Sequence, residues 1–251
     1  MKTNTEYKNA ALAALKGNWA KAVLAMVVFT AIMYLAMGPY LIYTFKMQAY
    51  ATENYGAVSP GSLSESISRG MALAQDPGYL ALSSKASGWS AVYLLIYVFV
   101  IFPLLVGVAN AFLRLLTRGE NDLLGNMYRI ATKNYWHKMW GMLLMYIFIA
   151  LWSLLLIIPG IVKAFSYAMT PYILEENPEL GANDAIDRSR AMMKGHKFDL
   201  FWLLLSFIGW FILNLLTLGI GGLWLGPYMQ TSIAGFYEDV KADYEANGGL
   251  M

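Results

Sequence analysis

The chain has 251 residues, of which 58% are hydrophobic and 14% charged, against roughly 45–50% and about 25% in soluble domains. Polar surface cannot cover so large an apolar excess, so a bilayer is the expected solvent, and a net charge of +2 argues against a nucleic-acid partner. There is no cysteine, which removes disulfides, thiolate metal sites and cysteine nucleophiles together.

Residues 1–21 are polar and carry Lys2, Lys8, Lys16 and Lys21. That approach is too long for the basic region of a signal peptide, and no small-x-small cleavage site follows, so an uncleaved first span is expected. TNTE at 3–6 is a capping box, and Tyr7, Ala11, Ala14 and Leu15 recur at helical intervals behind it. The uncharged run 22–45 is long enough, at about 1.5 Å per residue, to cross a hydrocarbon core of about 30 Å; it is span one. A serine-rich outer loop, 46–88, follows. Within it, SLSE at 62–65 leads into Ile67, Met71 and Ala74 and predicts a short surface helix. Span two is 91–113, with Pro103 and Asn110 inside it. Span three is 139–158, closed by the Pro159-Gly160 turn signal. The segment 161–174 is short and carries Lys163 and Pro171; it is expected as span four, a re-entrant segment being the alternative. Span five is 198–218, and after an LGIGG turn span six is 222–237.

Three hexads stand at the thresholds of apolar runs: KGNWAK at 16–21, KNYWHK at 133–138 and KGHKFD at 194–199. Upstream of the second lie Leu124, Met127, Ile130 and Ala131, and upstream of the third Ala185, Ile186, Met192 and Met193, again at helical spacing. Asn183 precedes Asp184 and Asp187, acids suited to a helix start. Each hexad therefore reads as an elbow where an amphipathic helix in the inner interface turns into the bilayer. Glycine or asparagine releases the helix, and lysine and tryptophan anchor to headgroups. The expected anchors are Lys16, Trp19, Lys21, Arg114, Lys133, Trp136, Lys138, Lys194 and Lys197. The third copy has Lys197 where the others have tryptophan. The expected fold is all-α and polytopic, about six transmembrane helices in three hairpins, each preceded by an amphipathic interfacial helix. The units would be 1–116, 117–176 and 177–251 within one membrane domain. Segments 1–21, 114–138, 175–197 and 238–251 hold 14 of the 18 Lys and Arg residues, so both termini are expected on the cytoplasmic side.

The run from 170 to 240 contains SRAMMKGHK, LSFIGW, LTLGIGGLWLGPY and AGFYEDV, and LKGNWAKAV stands near the amino end. On these motifs the chain resembles the bacterial membrane proteins of domain-of-unknown-function family 975, over its length except for a longer, less typical outer loop. The resemblance implies a polytopic protein of a bacterial inner membrane and supplies no catalytic residue.

Polar residues inside spans are the candidate functional groups, because they tend to face protein or water. A polar cavity would draw on Asn110, Lys163, Ser166, Tyr167, Thr170, Asn214, Gln230, Thr231 and Ser232. The plainer alternative is that Lys163 snorkels and the others form interhelical hydrogen bonds of about 0.6 kcal/mol each. His137 and His196 lack the spacing of a metal or general-base site. The acids Glu175, Glu176, Glu179, Asp184 and Asp187 match no calcium loop and read as a solvated connection. Ala164 with Ala168, and Gly219, Gly221, Gly222 and Gly226, allow close packing or a tight turn. No enzyme, metal or cofactor is expected, since no acid, base and nucleophile converge. The expected activity is binding or translocation of a lipid or small amphiphile, with a scaffold for a membrane-protein partner as the alternative; oligomeric state is not legible.

Overall fold

The computed structural model describes residues 1–56 and 63–248, and among these every regular element is helical. Helix α1 (Asn4–Leu15) opens on the expected capping box: Glu6 N–H donates to Thr3 Oγ1 (3.3 Å) and Thr3 N–H to Glu6 Oε2 (2.6 Å). These bonds to the Thr3 backbone and hydroxyl hold the Glu6 carboxyl below its ordinary range.

Helix α2 (Trp19–Tyr55) is a single element of 37 residues. Lys46 and Glu53 end the apolar run without ending the helix, because the backbone closes its own hydrogen bonds whatever the side chains. The expected outer loop 46–88 is therefore mostly helical. It holds α3 (Leu63–Leu73), the predicted surface helix, with no residue buried; Ser62 of its capping pattern lies outside the described residues. Helix α4 (Pro77–Ile96) starts on the Asp76 cap, with Pro77 in the first turn where no N–H is needed. A π-helical stretch, Tyr97–Ile101, joins α4 to α5 (Phe102–Arg118). Pro103 accounts for it: proline brings no N–H and crowds the carbonyl four residues back, and one extra residue in the turn accommodates both.

Helices α6 (Leu123–Thr132) and α7 (Tyr135–Leu155) follow. The turn after α7 is made by Leu156 alone, extended at φ −158°, ψ 142°. Pro159-Gly160, expected to form that turn, instead lies in the first turn of α8 (Ile157–Ser166), where a missing N–H has no partner to lose. An added Cβ on Gly160 would collide with Ser153, so the two arms touch there. The expected fourth span is broken into α8 and α9 (Thr170–Glu176). Helix α10 (Ala182–Met192) starts from Gly181, ahead of the expected Asn183. The fifth span is also broken, into α11 (Lys197–Leu205) and α12 (Ile208–Leu216), and α13 (Gly222–Ala246) closes the described chain. Among the described residues five stretches are long and apolar enough to cross a membrane: Trp19–Tyr55, Pro77–Arg118, Tyr135–Leu155, Ile157–Glu176 and Lys197–Leu216. The expected sixth span, 222–237, falls in α13, which is not one of the five.

The chain divides into two compact units, Thr30–Phe99 and the remainder. Within the smaller unit Asp76 accepts from the Tyr55 hydroxyl (2.8 Å), the Tyr50 hydroxyl (3.0 Å) and the Tyr79 N–H (2.8 Å). Within the larger, the three elbow helices turn their apolar faces into the protein. Tyr7, Ala11 and Leu15 of α1, Met127, Ile130 and Ala131 of α6, and Ala185, Ile186 and Met192 of α10 are all buried. Helix α1 lies on α13, α6 on α5, and α10 on α7 and α9. The faces expected to rest on lipid are thus occupied by neighbouring helices, which offer a matched surface in place of fluid chains. The elbows themselves share one backbone device: Gly17, Asn134 and Gly195 take positive φ, at 80°, 50° and 94°. Gly and Asn are the residues that enter this region most readily.

Candidate functional site

A helix broken inside an apolar span leaves backbone groups without partners, and such groups are costly away from water. The break between α8 and α9 is closed by a side chain from α10. The Ser189 hydroxyl, fully buried, donates to Ser166 O (3.0 Å) and accepts from Met169 N–H (3.2 Å). Asn110 of α5 reaches the same segment, its Nδ2 donating to Pro171 O (2.9 Å) and to Val106 O (3.0 Å). The break between α11 and α12 is met from α1: Lys8 Nζ donates to Ser206 O (2.7 Å) and lies 4.4 Å from the Phe207 ring centre. Burial pushes the Lys8 ammonium below its ordinary pKa.

Beside the first break is a cavity of about 400 Å³ whose walls come from α5, α7, α8, α9, α11 and α13. Ala164, Ala168 and Ala109 give it room, Met142, Met145 and Leu200 line it with apolar surface, and Gln230 with a few tyrosines, Tyr167 among them, supplies its polar groups. A cavity of this size and character suits a hydrocarbon chain or another apolar body.

A second cavity, of about 530 Å³, is lined by the next turns of the same α5 and α9, together with α10 and α13. Its character is opposite. Arg114, Arg118, Lys133, Arg188 and Lys241 line it, with Glu175, Glu176 and Glu245. Two of the carboxylates are already engaged. Glu175 pairs with Arg114 (2.9 Å) and Lys138 (2.6 Å), and Glu176 with Lys241 (2.6 Å), accepting also from the Tyr237 hydroxyl (2.7 Å).

The nine residues expected to line one polar cavity do not converge. Only Tyr167 and Gln230 line the apolar cavity, and only Asn110 the charged one. Ser166, Thr231 and Ser232 are buried and donate to carbonyls one turn back in their own helices, Val162, Pro227 and Tyr228. Lys163 lies 4.5 Å from the Trp152 ring centre. The Thr170 Oγ1 and the Asn214 Oδ1 are buried without a hydrogen-bond partner, and Asn214 stands against Gly221 and Gly222 at the far turn.

Among the expected headgroup anchors, Lys16, Lys21, Lys133, Trp136 and Lys194 are exposed, and Trp19, Arg114 and Lys197 are half-buried. Lys138 is the exception: its side chain is fully buried, and its ammonium donates to Ile130 O, to Lys133 O (2.8 Å) and to Glu175. It closes the carboxyl end of α6 instead of reaching lipid, because the left-handed Asn134 folds α7 back over that end. His196 bridges Asp199 (3.3 Å) and Asp243 (3.1 Å), tying α11 to α13. Ser189, Lys8 and Arg188 were not singled out by sequence reasoning for these sites. A polar residue within an otherwise apolar stripe, as Ser189 is among Ala185, Ile186 and Met192, was the one available signal for the first.

A protein family described as "Protein of unknown function (DUF975)" matches residues 1–166 and 154–244. No curated protein and no solved structure matches the chain.

Proposed function

The chain belongs to the DUF975 family, whose description assigns no activity, and on that premise we propose that it is a non-enzymatic protein of a bacterial inner membrane that binds, or helps to move, a lipid or small amphiphile. The observation that carries this reading is the apolar cavity of about 400 Å³ set among helices at a broken span. Discontinuous helices at a binding site are a recurrent device in transporters, since an unwound segment offers backbone groups and room that a continuous helix does not. Here α13 serves as a sixth crossing beside the five apolar stretches, so the termini share one side. The concentration of Lys and Arg in segments 1–21, 114–138 and 175–197 favours the cytoplasmic side.

Native mass spectrometry of gently extracted protein tests the binding. The parent is expected to retain lipid, and Ala164→Leu with Ala168→Leu, which fill the cavity, to lose it while keeping the parent's thermal stability. A filled variant that stays as lipid-loaded as the parent overturns the reading and leaves a scaffold role as the better account.

A further inference from the structure

We infer that the charged cavity at the inner ends of α5 and α9 is a binding site for a phosphate-bearing group. Its five lining cations, Arg114, Arg118, Lys133, Arg188 and Lys241, face three lining carboxylates, Glu175, Glu176 and Glu245, an excess of two positive charges. Lys138 and Glu120, which pair with the rim, cancel one another and leave that excess unchanged. Arrangement matters more than the sum. Glu175 and Glu176 are held by Arg114, Lys138, Lys241 and Tyr237, so they are spent on positioning those cations. Lys133 and Arg188 stand in no ion pair among the described residues; Arg188 lies 5.9 Å from the Tyr244 ring centre. A cavity of about 530 Å³ with that excess matches a phosphate dianion, which guanidinium and ammonium groups recognise by charge-assisted hydrogen bonds.

The apolar and charged cavities share α5 and α9 as walls, residues Leu105 and Ala109 lining the first and Leu113 and Thr117 the second. An acyl chain in the former would bring a phosphate head to the latter, and this pairing rests on the amphiphile reading above. The phosphate has two sources, a lipid head or the free anion.

The test uses full-length detergent-purified protein titrated separately with dioctanoyl phosphatidic acid, dioctanoyl glycerol and inorganic phosphate. The parent should bind the phosphatidic acid about tenfold or more tighter than the glycerol, as expected for charge-assisted bonds. Lys133→Gln combined with Arg188→Gln removes cations without orphaning a carboxylate. It should erase most of that preference, with glycerol binding and the ligand-free thermal midpoint unchanged. Inorganic phosphate binding that the double variant loses, without binding of either lipid, keeps the anion site, assigns it to the free anion and overturns the amphiphile reading. Equal affinity for the two lipids overturns the phosphate inference alone. A preference that survives in the double variant places the phosphate elsewhere and overturns it too, and binding of no probe overturns both.

Discussion

Hydroxyls of one type carry very different weight in this protein. Ser189 serves two backbone groups across the α8/α9 break, whereas Ser166 repeats a bond to its own helix. Ser189→Ala should therefore cost about 1–3 kcal/mol, the penalty of leaving buried groups unpaired, while Ser166→Ala should stay within about 0.5 kcal/mol; thermal unfolding in detergent compares them. Lys138→Met leaves Glu175 with Arg114 alone and uncaps α6, at about 3–5 kcal/mol. Adding Glu175→Leu should recover part of that loss, and no recovery would show that the α6 carbonyls, not the ion pair, need the lysine. These roles were only partly legible in the sequence. That Asn110, Ser166, Thr170, Thr231 and Ser232 were polar groups in apolar helices was plain from composition. Which of them would face a cavity was not, because a hydroxyl in a helix can always turn to the carbonyl four residues back. Lys138 was misread because a lysine before an apolar run looks like an anchor until the fold bends the chain over it.

The elbows were legible as elements: small or amide residues after a lysine marked all three, and each proved left-handed. Gly195→Ala should destabilise by about 1–2 kcal/mol through that conformation alone, having open space around it, whereas Asn134→Gly should be neutral or mildly stabilising. Gly107 differs in mechanism. A Cβ there would strike the Met127 carbonyl, so Gly107→Ala should cost about 1–3 kcal/mol by forcing α5 from α6. Periodicity could not flag it, since contact between two helices is a property of both. Where α1 meets α13, Asp239 is held by Lys2 Nζ (2.6 Å) and the Tyr7 hydroxyl (2.9 Å). Burial works to raise its pKa, and these bonds outweigh it, leaving the carboxyl below its ordinary range. Its contribution is complete above the ordinary aspartate pKa of about 3.9 and is lost as pH falls through the lower folded value. Tyr7 is pushed the other way by burial and by Asp239, so its contribution fades only in strong alkali. The protection of α1 amides, their exchange divided into the intrinsic rate at each pH, should accordingly be flat across neutral pH and fall in acid, a fall that Asp239→Asn abolishes.

For the molecule as a whole, the apolar excess is matched by five helical stretches long and apolar enough to cross a membrane among the described residues, but hydropathy windows could not show that two of the expected spans are broken or that α2 outlasts its apolar run. Single cysteines introduced at exposed Gln75, Tyr128 and Arg190 test the proposed orientation. An impermeant reagent applied to intact cells should label the first alone, and labelling of the second would reverse the topology. The turn between α7 and α8 has a consequence for how the protein is made. Leu154, Leu155, Leu156, Ile157 and Ile158 are all exposed at its tip, and no charge occurs between Lys138 and Lys163. On the proposed orientation that hairpin carries no ion across the hydrocarbon during biogenesis, where each would be opposed by about 2.5–3.5 kcal/mol. On the same orientation the outer stretch 46–88, from the end of α2 into α4, must carry Lys46, Glu53, Glu65, Arg69, Asp76 and Lys85. The second hairpin can thus slip in as a closed unit from the ribosome's side, while the first demands a protein-conducting channel.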